Sequence, residues 1–170
     1  LVLDNSFWCF DPKDDGAIIN SDPPVKRNGF ITFACVGNTA KISMRILECW
    51  SAILTRIPNS RLLIRSISLH DPLAASEIAS RFEKSGIDMT RVDLFGPTSG
   101  SDLFLTYNDI DIILDTYPFN GGTTTCFATY MGVPVLSLAG RSLLSRMGKS
   151  ILSNLGLHDW IVEDYDNYID

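Results

Sequence analysis

Apolar and polar positions alternate along most of the chain between runs of period two and runs of helical spacing. From Asn28-Gly29 onward, Phe30 to Val36 is apolar and rich in β-formers and predicts a first strand. Ile46, Trp50, Ile53, Leu54 and Ile57 recur at helical spacing, and Pro58-Asn59-Ser60 closes that helix. Leu62 to Ser66 predicts a second strand, followed by a helix from about Leu73 to Lys84 that stops at Gly86. Val92 to Phe95 predicts a third strand, with a short helix near Asp102 to Tyr107 after it. Ile110 to Asp115 and Pro134 to Leu138 predict strands four and five, on either side of a helix from Cys126 to Met131. Ser142 to Leu155 predicts a further helix ending at Gly156; Trp160-Ile161-Val162 fits a last short strand or a loop.

Five strands separated by helices imply parallel pairing through right-handed crossovers. The fold class expected is α/β, a doubly wound, Rossmann-like parallel sheet. Residues 1–28 break the pattern with Asp11-Pro12, Asp14-Asp15-Gly16 and Asp22-Pro23-Pro24. They are expected to form an irregular linker or wrapping arm, and residues 29–170 the folded lobe. In such a sheet, ligands sit beyond the carboxyl ends of the strands. The segments expected there are Gly37 to Lys41, Ser68 to Asp71, Gly96-Pro97-Thr98-Ser99-Gly100, Thr116 to Thr125, and Ala139-Gly140-Arg141. They concentrate glycine, small polar residues, one Lys and one Arg.

The chain has 170 residues, with 45% hydrophobic and 20% charged, enough for one domain with a core. A net charge of −6 argues against polymeric nucleic acid as a partner but leaves room for a small anion. No apolar run approaches the roughly 20 residues of a membrane span, and Leu1-Val2-Leu3-Asp4 does not resemble a signal peptide. Because Leu1 is not an initiator methionine, the chain is expected to be part of a longer protein. Cys9, Cys35, Cys49 and Cys126 lack metal-ligand spacing, and a reducing, cytoplasmic setting is expected.

The candidate chemistry centres on Asn120-Gly121-Gly122-Thr123-Thr124-Thr125. Two glycines permit a tight turn, and the threonines open a helix whose unpaired N–H groups suit an anion. A glycine turn with a threonine cap is the alternative. Lys41, read as opening a helix, is either a solvated lysine or the partner of an anion lying between it and the helix dipole. Asn38 fits a turn residue, Asp115 a carboxylate holding loop N–H groups ahead of a catalytic one, and His70 a surface residue ahead of one facing the ligand from a strand end. Arg141 and Arg146 are candidates for phosphate or for an ion pair. Walker, Ser-His-Asp, HExxH and G-x-G-x-x-G patterns are absent.

Four segments in order resemble the C-terminal, donor-nucleotide lobe of the O-linked N-acetylglucosamine transferase and SPINDLY family of GT-B glycosyltransferases. They are Arg27 to Phe33 with Asn38 to Ile42; Trp50 to Leu63; Leu114 to Cys126 with Met131 to Val135; and Ala139-Gly140-Arg141 with Ser145-Arg146 and Leu152 to Leu157. The resemblance implies an inverting transfer of sugar from a nucleotide donor, UDP-N-acetylglucosamine, to Ser or Thr of acceptor proteins. It implies a second, N-terminal lobe and preceding tetratricopeptide repeats, without which this chain would not turn over. In the family pattern Lys41 is the catalytic residue that neutralises the departing diphosphate, with Asn38 beside it. Thr123 and Thr124 hold phosphate oxygens at the helix start, within the segment Asn120, Gly121, Gly122, Thr123, Thr124 and Thr125, and Gly96, Pro97 and Thr98 lie along the base. No metal and no cofactor are implied. Two positions depart from the pattern: Leu103 stands where the family has His, and Phe127 where it has a carboxylate for the ribose. They favour an alternative, a degenerate lobe serving as a binding or scaffold module; a nucleotide-sugar epimerase fits the family pattern less well.

Overall fold

A computed structural model describes residues 6, 8–12, 18–98 and 101–170 of the chain. The part of the arm at Asp14-Asp15-Gly16, and Ser99-Gly100 of the loop expected along the base, lie outside the described residues.

Six strands form one parallel sheet: β1 (Ile31–Val36), β2 (Ser60–Arg65), β3 (Val92–Phe95), β4 (Ile112–Leu114), β5 (Val135–Leu138) and β6 (Ile161–Val162). Their spatial order is β3-β2-β1-β4-β5-β6, the doubly wound arrangement, in which the direction of travel reverses between β1 and β4. Strands β1, β2 and β4 each feed two layers. Phe33 and Cys35 of β1, Leu62 and Ile64 of β2, and Leu114 of β4 enter one core cluster with Trp50 and Phe82. The alternate residues Ala34, Leu63 and Ile113 enter a second cluster with Tyr107, Ala128 and Leu152. Period-two alternation that is apolar on both sides demands helices on both faces.

One face is covered by α2 (Met44–Arg56), α3 (Pro72–Lys84) and α7 (Tyr165–Ile169); the other by α4 (Ser101–Tyr107), α5 (Thr123–Tyr130) and α6 (Met147–Asn154). Side-chain caps start several of them, as expected for Ser and Asp at such positions: Ser43 Oγ accepts from Ile46 N, and Asp71 from Leu73 N. Gly86, expected to close α3, has φ 81 and follows directly on Ser85, which caps it.

Three expectations change. Pro24–Asn28, within the stretch read as irregular, form a short helix, α1, tied to the sheet by Val25 N donating to Asp111 Oδ1 (2.9 Å). The helix expected from Ser142 starts at Met147, because Leu144–Arg146 form a separate 3-10 turn. Of Trp160-Ile161-Val162, Ile161 and Val162 are a strand, β6, in register with Ser137 and Leu138, while Trp160 ends a 3-10 turn, His158–Trp160.

Candidate functional site

The reversal between β1 and β4 opens a crevice at their carboxyl ends, because the chains leaving the two strands cross to opposite faces. A cavity of about 120 Å³ lies there, lined by Cys35, Val36, Gly37, Asn38, Lys41, Asp115, Thr116, Gly121, Thr124 and Thr125, with Ile113 and Leu114 beneath. Asn38, Lys41, Gly121, Thr124 and Thr125, five of the residues singled out in the sequence, therefore meet in one place.

From β1, Gly37 leads into Asn38, whose side chain accepts from Ala40 N at 2.9 Å and caps a 3-10 turn, Thr39–Lys41. Lys41 thus ends a 3-10 turn rather than opening a helix; α2 begins three residues later behind its Ser43 cap. The helix dipole that matters to Lys41 is that of α5 across the cavity. Lys41 Nζ donates to the Asn120 carbonyl (3.2 Å) and stands 3.8 Å from the Phe119 ring centroid. Burial pulls its pKa below the ordinary lysine value, while the charge of Asp115 and, less, Cys35 act to raise it.

From β4, Asp115 is fully buried and anchors the turn that follows. Its Oδ1 accepts from Thr116 N (2.9 Å) and Gly121 N (2.6 Å), and its Oδ2 from Ser137 Oγ on β5 (2.6 Å). Burial pushes this carboxyl from 3.8 up to about 6, against those three hydrogen bonds and the Lys41 charge. Burial, then Asp115, likewise pushes the Cys35 thiol up to about 12. Gly121 must lack a side chain: a Cβ there would stand 2.6 Å from Thr125 Oγ1 and 2.9 Å from Thr124 Oγ1.

The first backbone bond of α5 runs from Cys126 N to the Gly122 carbonyl, so the N–H groups of Thr123, Thr124 and Thr125 precede the helical ladder. Thr123 is exposed, Thr124 half-buried and Thr125 buried. Asn120 is fully buried, its amide donating to the Thr116 and Leu138 carbonyls (2.8 and 3.2 Å). Its side chain braces the turn, and its backbone carbonyl holds Lys41.

Other expected residues lie apart. Gly96, Pro97 and Thr98 follow β3, the edge strand two places from β1, and do not line the cavity; the Gly96 carbonyl accepts from Arg65 Nη1 (3.0 Å). His70 is exposed, its Nδ1 paired with the Ile67 carbonyl. Arg141 borders a separate open hollow beyond β5 with Lys149 and Glu163, and Arg146 is exposed. Among the described residues no group of three His, Cys, Asp or Glu is placed to hold a metal, and no helix is long and apolar enough to cross a membrane.

The sequence profile of glycosyl transferase family 41 matches residues 26–170, most of the chain. The chain belongs to glycosyl transferase family 41. Two family 41 relatives are plant SPINDLY proteins, each described as a probable UDP-N-acetylglucosamine–peptide N-acetylglucosaminyltransferase. The tomato (Solanum lycopersicum) protein is 34% identical over 99% of this chain, and the Arabidopsis thaliana protein 35% identical over 98%. In each case the chain spans only 18% of the relative's length. A mutant O-GlcNAc transferase of Thermobaculum terrenum superposes with a TM-score of 0.81 at 35% identity, over 89% of this chain and 29% of that one. The resemblance read from the four segments holds, and with it the Rossmann-like lobe of a GT-B fold.

Phe127 packs edge-on against Phe104 (centroids 5.2 Å apart) and against Phe10 of the N-terminal arm (5.4 Å). Tyr130 closes the group, 6.1 Å from Phe104 and 6.5 Å from Phe10. Trp8 packs on Gly122 so closely that any side chain there would displace its ring. The partner residues of Phe127 were not legible in the sequence, because Phe10 reaches it from a segment without periodicity.

Proposed function

We propose that this chain is the donor-nucleotide lobe of an inverting protein O-glycosyltransferase, with the diphosphate of a nucleotide sugar bound in the β1/β4 crevice. The observation that carries this reading is the meeting of Lys41 and the N-terminus of α5 on one cavity at the point where the strand order reverses. In this reading a diphosphate takes the Lys41 ammonium from the Asn120 carbonyl and accepts from Thr124 and the free N–H groups of the helix start. The Thr123 hydroxyl reaches it from the exposed edge, and Asn38 lines the near wall. Sugar transfer by in-line attack needs the leaving diphosphate stabilised, and a preorganised cation and helix dipole do that without a metal. Gly96, Pro97 and Thr98 offer backbone groups to the base. The sugar proposed is N-acetylglucosamine and the acceptor Ser or Thr of proteins, after the names of the SPINDLY relatives. Residues 29–170 form the lobe. Turnover requires the remainder of a longer, cytoplasmic protein, with a second lobe and tetratricopeptide repeats.

Calorimetric titration with UDP, GDP and their sugar conjugates tests this. At least one diphosphate should bind, and Lys41→Ala should weaken it by roughly 1.5–3 kcal/mol, the scale of a charge-assisted hydrogen bond. A second reading, a non-catalytic scaffold lobe, is favoured by the aromatic group around Phe127. It becomes the better account if the folded chain binds no nucleoside diphosphate.

A further inference from the structure

The carboxylate of Asp115 is buried beside a site that we read as taking an anion, where an extra negative charge opposes the ligand. Burying such a charge is costly, and among the described residues no ion pair reaches it, the Lys41 charge acting only across the shared cavity. Its oxygens are instead occupied by Thr116 N, Gly121 N and Ser137 Oγ. Its seat is shaped for it by glycines on two elements. A methyl on Gly148 of α6 would collide with Ser137 Oγ and come within 2.8 Å of Asp115 Oδ2, while one on Gly121 would stand 3.2 Å from Oδ1. The Asp115 backbone is fixed as well, its carbonyl accepting from Tyr168 Oη of α7 at 2.8 Å.

We propose that Asp115 is a positioning residue of the anion site: its carboxylate fastens the Gly121 turn to β5 and keeps the neighbouring Lys41 ammonium charged. The first half follows from the hydrogen bonds. With its N–H taken by Asp115, Gly121 is locked, and the turn can only present the N–H groups that follow it. The second half follows from the shared cavity. Lys41 is partly buried, which favours its neutral form, and Asp115 is the strongest influence acting the other way. The other titratable groups facing the pair are Cys35 of β1 and Tyr168 of α7, both pushed up by burial and neutral near pH 7. From the turn itself Lys41 meets the Asn120 carbonyl and the Phe119 ring, both neutral.

This inference rests on the anion-site reading, and the test separates the two. The dissociation constant of UDP, or of GDP if that binds better, is measured from pH 6.5 to 10 for the wild-type chain, Lys41→Ala, Asp115→Asn and Asp115→Ala, each checked for folding by circular dichroism. Asp115→Asn keeps an oxygen for Gly121 N–H and a donor for Ser137, so near pH 7 its affinity should stay within roughly threefold of wild type. Its loss of affinity at alkaline pH should start about one pH unit lower, because Lys41 no longer has an anion beside it. Asp115→Ala, which frees the turn, should bind roughly tenfold or more weakly at every pH. If that variant does not fold, Asp115→Asn alone decides. An Asp115→Asn profile that superimposes on wild type, or is lowered evenly at all pH values, overturns the inference while Lys41→Ala still supports the anion site. Failure of the wild type to bind, or an unchanged Lys41→Ala, overturns both.

Discussion

Asp115 shows at the scale of one residue how a site leaves its mark on stability. Burial raises its pKa from 3.8 to about 6, so the folded chain holds the proton more tightly than the unfolded chain does. The stability this contributes is fully present below about pH 3.8 and is lost as pH rises through about 6. The loss is on the order of 3 kcal/mol. Asp115→Asn cannot titrate, so its stability relative to wild type should improve by about that amount between pH 4 and pH 7 and then level off. Urea unfolding across that range measures it; a difference independent of pH would mean that burial does not raise the carboxyl. Its place at a strand's carboxyl end already marked Asp115 as a carboxylate for loop N–H groups. Ser137 and Gly148 were not legible, since one lies on a strand and the other within a helix, each 20 or more residues away.

At the scale of elements, hydrophobic spacing located strands and helices well and their ends less well. The end of α2 shows why. Pro58-Asn59-Ser60 signals a stop, but the carbonyls left open there are satisfied from a distance by Arg91, which precedes β3. Its guanidinium donates to the Leu54 and Ile57 carbonyls (both 2.9 Å), the Ser60 carbonyl (3.0 Å) and Ser60 Oγ (2.9 Å). One planar fork therefore joins the end of α2 to the start of β2. Arg91→Lys keeps the charge but cannot span four acceptors, and should cost about 2 kcal/mol, with Arg91→Ala costing at least as much. Chemical denaturation checks this, and a Lys variant as stable as wild type would count against the clamp. Lys41 illustrates the same limit. Its nearness to a helix start was legible, but the helix whose dipole it faces is α5, brought to it by the β1–β4 pairing rather than by sequence.

For the whole molecule, strand order decides which expected residues meet. The β3-β2-β1-β4-β5-β6 order puts the loops after β1 and β4 on one crevice and leaves Gly96-Pro97-Thr98 on the far side of β2. Strand order is set by long-range pairing, so alternating strands and helices could indicate a rim of ligand-facing loops without ranking them. In the proposed reading Lys41, the Gly121 turn and the start of α5 hold the phosphates, while Phe127, Phe104, Phe10 and Tyr130 pack on one another outside the cavity lining. A phenyl ring at position 127 offers no hydrogen-bond acceptor to a nucleoside. Binding energy should therefore come mainly from the diphosphate. UDP and GDP should bind within about tenfold of each other, roughly 1.4 kcal/mol, and uridine or guanosine alone should bind too weakly to measure. Raising salt should weaken both diphosphates alike, because the contacts they share are the charged ones. Competition of UDP against GDP, with pyrophosphate as a third ligand, makes the comparison directly. A preference of a hundredfold for one base would instead put much of the binding energy on the nucleoside.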